Sequence, residues 1–89
     1  MAEKLNAKER QSRRKAVCDL YARAHDSDPH DATTAADYGR FLLARMDMVD
    51  EAEVVLQHAL SKDPNITVGL YNMALVQQKK NNLADAEKL

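Results

Sequence analysis

The chain repeats its own pattern at an interval of 34 to 35 residues, and this internal repeat constrains the fold more than any other feature. Shifted by 35 residues, the sequence pairs Leu20 with Val55, Tyr21 with Leu56, Ala24 with Ala59, Asp28 with Asp63 and Pro29 with Pro64. After Gly39, which pairs with Ala74, the shift becomes 34, and Ala52 then pairs with Ala86. A repeat of this length is one helix-turn-helix unit, which must stack on its neighbours to bury an apolar face.

Apolar residues within the repeats recur every three or four positions, which is typical of amphipathic helices. Four stripes follow one another along the chain: Val17, Leu20, Tyr21 and Ala24; Ala35, Tyr38, Gly39 and Leu42; Ala52, Val55, Leu56 and Ala59; and Leu70, Met73, Ala74 and the polar Gln77. The segments RMDMVD and KKNN break the pattern, and Asp47, Asn81 and Asn82 there tolerate the left-handed backbone that ends a helix. We therefore predict an all-α fold of helix-turn-helix repeats, with about five helices and the last one truncated.

Two similar stretches, ARAHDSDPH and ALSKDPN, predict the joints between repeats. Proline ends a helical pattern because its ring clashes with the preceding turn and it lacks an N–H group. It can also stand at the start of the next helix, where that N–H would be unpaired. Asp28 and Asp63 could then accept hydrogen bonds from the new N-terminus, while Ala24 and Ala59 leave room for close packing.

The composition agrees with helices and excludes several classes of protein. The chain has 14 alanines but only two glycines and two prolines, which favours closely packed helices over β-turns. Cys18 is the single cysteine, so neither an internal disulfide nor a cysteine-based metal site is expected. No apolar run approaches the roughly 18 residues of a membrane span, and no signal-peptide core is present. We expect a cytoplasmic, intracellular protein without a cofactor.

These residues resemble the tetratricopeptide repeat family in their spacing. Gly39 and Ala74 match the family's small residue ten positions after the proline, and Asp85–Ala86 matches its acid–alanine pair. The large apolar residue, the alanine and the proline that follow in the family are matched by Tyr21, Ala24 and Pro29 and by Leu56, Ala59 and Pro64. The chain departs from the family at Ala35, Leu70, Leu42 and Gln77, where aromatic residues are usual, and it lacks the turn glycine. The resemblance covers about Val17 to Leu89 and implies an α-solenoid fragment.

The register of this resemblance divides the chain into three parts. Residues 1–29 form a long basic N-terminal helix that ends as the second helix of a partial repeat. Residues 30–64 form one complete repeat, and residues 65–89 form a third repeat that is truncated in its second helix. Roughly three stacked units are needed for a stable repeat protein, so we expect a fragment of a longer protein or a chain that completes its core by pairing.

The resemblance also implies a concave groove, lined by the first helix of each repeat, that holds an extended peptide or a partner helix. The positions that would face it are Thr33, Ala36, Asp37, Arg40, Val68, Tyr71, Asn72, Leu75 and Lys79. The lysine–asparagine clamp of some relatives is not supported, because Ala36 and Arg40 occupy its places. We expect a non-catalytic protein–protein interaction module, used as a scaffold or adaptor, whose partner is a protein or peptide.

The residues that could carry chemistry do not form a recognisable site. The run HDSDPHD contains metal-ligand side chains, but its spacing fits neither zinc nor EF-hand patterns and is explained by helix capping. His58 has no serine or cysteine partner at a telling spacing. Cys18 is interpreted as a small buried hydrophobe, with activation of its thiol by Arg14 as the alternative. The sequence therefore predicts neither a catalytic site nor a metal site.

The N-terminal segment is basic and the rest of the chain is acidic. Residues 1–16 have a net charge of +4, against −5 for the other 73 residues. Arg10, Arg13 and Arg14 lie on adjacent turns of one predicted helix and could contact a phosphate backbone together. The lack of interleaved aromatic residues disfavours nucleic acid, and a solvated helix face is preferred. An RNA-associated scaffold stays an alternative, because DYGRFLLARMDMVDEAE also resembles the half-a-tetratricopeptide variant of RNA-processing scaffolds.

Self-association is the second alternative. A truncated last helix would leave the stripe of Leu70, Met73 and Ala74 incompletely covered. Exchange of helices with a second copy would cover it, and KKNN or RMDMVD could straighten into continuous helix to allow that exchange. The result would be a helix-swapped homodimer.

Overall fold

The computed structural model describes residues 6–88, with the side chains of residues 6–82, and this part of the chain folds into four helices and no strands. The helices are α1 (Ala7–Ser27), α2 (Ala32–Arg45), α3 (Val49–Lys62) and α4 (Thr67–Lys88). The helix α2 packs against all three others, and α4 also packs against α3. The predicted all-α class is thereby confirmed. No helix in the described part is both long enough and apolar enough to cross a bilayer.

The prediction of about five helices, the last one truncated, is wrong, because α4 continues through KKNN to Lys88 as a single helix. The residues after this segment, LADAEK, include leucine, alanine, glutamate and lysine, which are among the strongest helix formers. Asn81 and Asn82 tolerate a left-handed turn but do not require one. No local preference therefore ends the helix, and α4 reaches 22 residues, or about 33 Å.

The break predicted at RMDMVD is present and joins α2 to α3. Asp47 adopts φ = 52°, the one positive φ among the described non-glycine residues, as a tight helix end requires. The Met48 N–H donates a hydrogen bond to the Leu42 carbonyl over 3.0 Å and closes this turn. The chain reverses here within three residues, so α2 and α3 form an antiparallel hairpin.

The core lies where this hairpin meets α4. Leu42, Leu56 and Val76 are its largest fully buried side chains, and Ala52 is buried beside them. Gly39 permits a close approach of α2 to α3, because a Cβ atom built on it would lie 2.6 Å from Cγ of Leu56. A second buried cluster of Ala35, Ala36 and Ala59 continues the contact toward the other end of the hairpin. Small residues thus set the spacing of the helices.

The two proline joints are present, but the aspartates before the prolines do not cap the following helices. Asp28 and Asp63 are the C-cap residues of α1 and α3, and their N–H groups donate to Ala24 and Ala59. Each proline lies in the turn rather than in the first turn of the next helix. Asp31 caps α2 instead, because its carboxylate accepts hydrogen bonds from the Thr34 N–H and hydroxyl. These hydrogen bonds lower the pKa of Asp31.

The first helix attaches to the hairpin through rings rather than through buried aliphatic side chains. No residue of α1 is fully buried, but Tyr21 stacks on Tyr38 at 6.5 Å and contacts Phe41 at 5.3 Å between ring centroids. A capping box between Asn6 and Glu9 begins the helix. Ala24, expected to lie in a tight contact, is exposed, because no helix covers that face of α1.

Candidate functional site

A shallow groove between α2 and α4 is the surface best suited to hold a partner. It has a volume of about 380 Å³ and is lined by Leu43, Ala44, Asn72, Leu75, Gln78, Lys79 and Asn82. Leu43 is buried and forms part of the core, so the apolar floor of the groove is fixed by the fold. The amide and ammonium groups from α4 surround this floor. An apolar floor with a polar rim is the usual form of a peptide-binding surface.

Asn72 is the buried polar residue of the groove, with 3% of its surface exposed. Its Nδ2 donates a hydrogen bond to the Val68 carbonyl one turn earlier over 2.8 Å. Within the part of the chain whose side chains are described, its Oδ1 accepts no hydrogen bond. The orientation of the amide is therefore set by α4, and its oxygen remains available to a donor in the groove.

Ion pairs fix α4 against the hairpin at the edge of the groove. Lys79 lies 3.4 Å from Asp47, and Lys80 lies 2.7 Å from Glu53 and 3.8 Å from Asp50. The hydrogen bond from Lys80 holds the pKa of Glu53 below its ordinary value, and the same bond raises the pKa of Lys80. A neighbouring depression of about 440 Å³ is lined by four of these charged residues, Asp47, Asp50, Lys79 and Lys80. Because they are already satisfied, it offers less to a ligand than the groove.

Only some of the predicted groove residues line this surface together. Asn72, Leu75 and Lys79 do so, whereas Arg40 lines a separate depression with Tyr21, Phe41, Ala44 and Arg45. Thr33 and Asp37 lie on α2 and line neither of these two depressions. Val68 and Tyr71 are exposed on α4, at 39% and 65% of their surface.

Sequence reasoning missed four residues of the groove, Leu43, Ala44, Gln78 and Asn82. Leu43 and Gln78 are 35 residues apart, and each follows a predicted stripe position, Leu42 and Gln77. In both helices, a residue one position after the stripe lies about 100° around the helix from it, so Leu43 and Gln78 occupy equivalent faces. The repeat could therefore have identified these two residues.

The basic face predicted on α1 is exposed. Arg10, Arg13 and Arg14 all lie on its solvent-facing surface. A notch of about 220 Å³ brings Arg14 and Lys15 together with Arg45 at the end of α2. No carboxylate in the described part of the chain lies within 4 Å of these three cations. The notch is a local concentration of positive charge.

His58 and His25 lie where α3 meets the joint between α1 and α2, and Cys18 is half-buried on α1. His58 Nε2 lies 2.6 Å from the Pro29 carbonyl oxygen, and its ring packs edge-on against His25 at 5.2 Å. These contacts tie the α1–α2 joint to α3. Burial raises the pKa of the Cys18 thiol, with further contributions from the negative charges of Asp19 and Glu51, so the thiolate is disfavoured. No cluster of three metal-ligating residues is found among the described residues.

Comparison of the chain with models of protein families, with curated proteins and with solved structures found no match.

Proposed function

We propose that the chain is a non-catalytic protein–protein interaction module, and that its groove between α2 and α4 holds an extended peptide or one face of a helix. The observation that carries this proposal is the oriented amide of Asn72 beside an apolar floor of Leu43, Ala44 and Leu75. A peptide could donate a backbone N–H to the Asn72 oxygen while an apolar side chain covers the floor. The resemblance of the repeat spacing to tetratricopeptide repeats supports the same groove.

The lining of the groove has a single charged residue, whose charge is neutralised by an ion pair, and this favours a partner that is mainly apolar. Lys79 is the cation of the lining, and it is paired with Asp47. Rim ion pairs of this kind add little to affinity. Most of the binding energy would therefore come from apolar contact with Leu75 and Ala44 and from the hydrogen bond to Asn72.

Selection of binders from a random peptide library, displayed on phage, tests this function directly. We expect enriched peptides to bind the wild-type chain and to lose at least about tenfold in affinity for the variant Ala44→Arg, because the arginine fills the floor and introduces a charge. Ala44 is exposed, so the variant should fold. The matched control is Gln57→Arg, an exposed position on α3 outside the groove.

Two results would count against the groove. One is the failure of any peptide to enrich over the background. The other is enrichment of peptides that bind Ala44→Arg as well as they bind the control, which would move the binding surface elsewhere on the chain.

Association with RNA is a second candidate, favoured by the notch of Arg14, Lys15 and Arg45. Binding there would rest on phosphate contacts, so the affinity for a single-stranded RNA probe should fall steeply as salt rises. The double variant Arg14→Gln and Arg45→Gln should reduce that salt dependence. Absence of binding at low ionic strength would remove this candidate.

A further inference from the structure

The two terminal helices of the described part each expose an apolar face. On α1, Leu20 is 60% exposed, and a depression of about 350 Å³ is lined by Val17, Leu20, Tyr21 and Ala24. On α4, Leu70 is 51% exposed and Ala74 on the following turn is also exposed. The polar Gln77, whose Nε2 donates a hydrogen bond to Glu53 on α3, ends this face. Each face lies along one side of its helix, because its residues recur at steps of three and four.

The inner hairpin shows what covers these faces when a unit is complete. Leu70, Ala74 and Gln77 on α4 repeat the positions of Ala35, Gly39 and Leu42 on α2, all three of which are buried. Val17, Leu20, Tyr21 and Ala24 on α1 repeat Ala52, Val55, Leu56 and Ala59 on α3. Within the hairpin, these two sets contact each other, as the approach of Gly39 to Leu56 and Ala52 shows. Among the described residues, α4 has the register of a first helix and α1 that of a second helix, and neither packs against the other helix of its own unit.

The helices α1 and α4 are also nearly equal in length, which lets them pair along most of their residues. In the hairpin, Gly39 contacts Ala52 and Leu56. The repeat pairs Gly39 with Ala74, Ala52 with Val17 and Leu56 with Tyr21. The same contact between α4 and α1 therefore places Ala74 between the levels of Val17 and Tyr21. An antiparallel pair in this register brings Thr67, the first residue of α4, to the end of α1. Because α1 has 21 residues and α4 has 22, the two helices overlap along nearly their whole lengths. The continuation of α4 beyond KKNN supplies the second half of that overlap.

We propose that α4 of one copy packs against α1 of a second copy, antiparallel and head to tail, and so completes a helical hairpin between two chains. The apolar halves of the helices meet in this register, and the segment containing Asp85 and Glu87 runs along the basic half of α1, which contains Lys8, Arg10 and Arg13. Opposite charge along this half would favour the antiparallel orientation. Lys79 and Lys80 would add little repulsion, because they are paired with Asp47 and Glu53.

This contact joins two different surfaces, so one contact leaves a face uncovered on each copy. The helices α1 and α4 both contact α2 but show no contact with each other in the described part of the chain. After one contact has formed, the first copy still has a free α1 and the second a free α4. Heterologous contacts of this kind produce open assemblies unless their rotation closes a ring. The average mass should therefore grow with concentration beyond that of a dimer.

Light scattering after size exclusion tests the contact with two variants, Leu20→Asp on α1 and Leu70→Asp on α4. Each variant alone should remain at the chain mass of 10.0 kDa, because a carboxylate in the contact raises the association midpoint by more than about tenfold. An equimolar mixture should give a species of about 20 kDa that does not grow further, twice the mass of one chain. In the mixture, each variant supplies the face that the other has lost.

The control is Val54→Asp, a side chain on α3 that is 65% exposed and belongs to neither face; it should assemble like the wild type. Circular dichroism should show native helix content in all three variants, since each replaced side chain is mostly exposed. The proposal is overturned if the wild-type chain stays at 10.0 kDa at millimolar concentration. It is also overturned if Leu20→Asp associates with itself, which would indicate a contact between two α4 helices, or if the mixture fails to form the 20 kDa species.

Discussion

The helices α2 and α4 have the same repeat pattern but very different surroundings. Ala35, Gly39 and Leu42 on α2 are buried, whereas the residues 35 positions later, Leu70, Ala74 and Gln77, are exposed. The difference arises from the chain that follows each helix. After α2 the chain reverses and α3 covers the stripe, while after the corresponding point of α4 it continues straight. A periodic stripe therefore identifies the face that can be buried, and the turn after it decides whether that face is buried within the chain.

The two turns differ in how strongly the local sequence favours reversal. In RMDMVD, Asp47 takes the left-handed conformation, and Met46, Met48 and Val49 around it pack on the core cluster. Apolar burial on both sides of the turn offsets the cost of a left-handed residue, which is about 1–2 kcal/mol. In the corresponding segment KKNNL, polar side chains stand in place of Met46 and Met48, and Leu83 alone is apolar, so a reversal there would gain less burial.

The largest difference in stability should appear between replacing a leucine in the α2–α3 contact and replacing a leucine in the exposed stripe of α4. Leu56→Ala deletes a fully buried side chain that packs against Gly39, and it should lower the free energy of unfolding by about 2–5 kcal/mol. Leu70→Ala removes a side chain that is 51% exposed and should change it by about 0.5 kcal/mol or less. Urea denaturation at a concentration that keeps the chain monomeric measures both. Equal losses at the two positions would mean that α4 is covered as well as α2.

Exchange of the small residues at the equivalent positions should give a smaller effect. Gly39→Ala adds a Cβ atom 2.6 Å from Cγ of Leu56, and the resulting overpacking costs about 1–3 kcal/mol. The better helix propensity of alanine returns about 1 kcal/mol, so a net loss of about 0–2 kcal/mol is expected. Ala74 is exposed, so Ala74→Gly should lower the free energy of unfolding only by the difference in helix propensity, about 1 kcal/mol.

Denaturation of the two variants beside the wild type separates these contributions. Alanine should be the worse residue at position 39 and the better residue at position 74. A more stable Gly39→Ala variant would show that α2 and α3 are not in tight contact in solution.

The smallest expected effect concerns the ion pair that ties α4 to α3. Because the hydrogen bond from Lys80 lowers the folded-state pKa of Glu53 below its ordinary value of 4.5, the pair stabilises the fold at pH values above 4.5. This contribution is lost as pH falls through the lowered pKa of the folded state. In Glu53→Gln, the melting temperature should therefore lie below that of the wild type at neutral pH and approach it in acid.

The matched control for this pH dependence is Glu51→Gln, since the Glu51 carboxylate forms no ion pair among the described residues. A melting-temperature difference for Glu53→Gln that stays constant from pH 7 to pH 3 would show that packing, rather than charge, accounts for the effect.

Most of the helical pattern could be predicted from the sequence, because proline and apolar periodicity act locally. The joints at Pro29 and Pro64 and the turn at RMDMVD lie where the sequence indicates them. The aspartates of the joints were assigned to the wrong helix ends, because one acidic residue before a proline can serve either neighbour. The predicted break at KKNN is absent. Asparagine allows a turn but does not force one, and whether the turn forms depends on tertiary packing, which a local sequence pattern does not contain.

The groove was less predictable than the helices. Leu75 and Asn72 were among the positions implied by the resemblance to tetratricopeptide repeats, while Leu43 and Ala44 were missed because their role depends on where α4 crosses α2. That crossing depends on Leu42, Leu56 and Val76, which meet in the core between the hairpin and α4. The distance between two helices is a property of both surfaces at once, so a single stripe cannot determine it.

The C-terminal part of α4 extends beyond the last ion pairs that hold this helix against α3. In the part whose side chains are described, its last ion pairs with α3 are those of Lys80, and the helix continues for eight further residues, or about 12 Å. Because a regular helix is stiff over this length, a rotation of α4 by about 10° at Lys80 would move its C-terminal end by about 2 Å. A ligand that pushes Leu75 away from α2 would therefore displace the C-terminal end of α4, with the helix pivoting at the ion pair of Lys80 with Glu53.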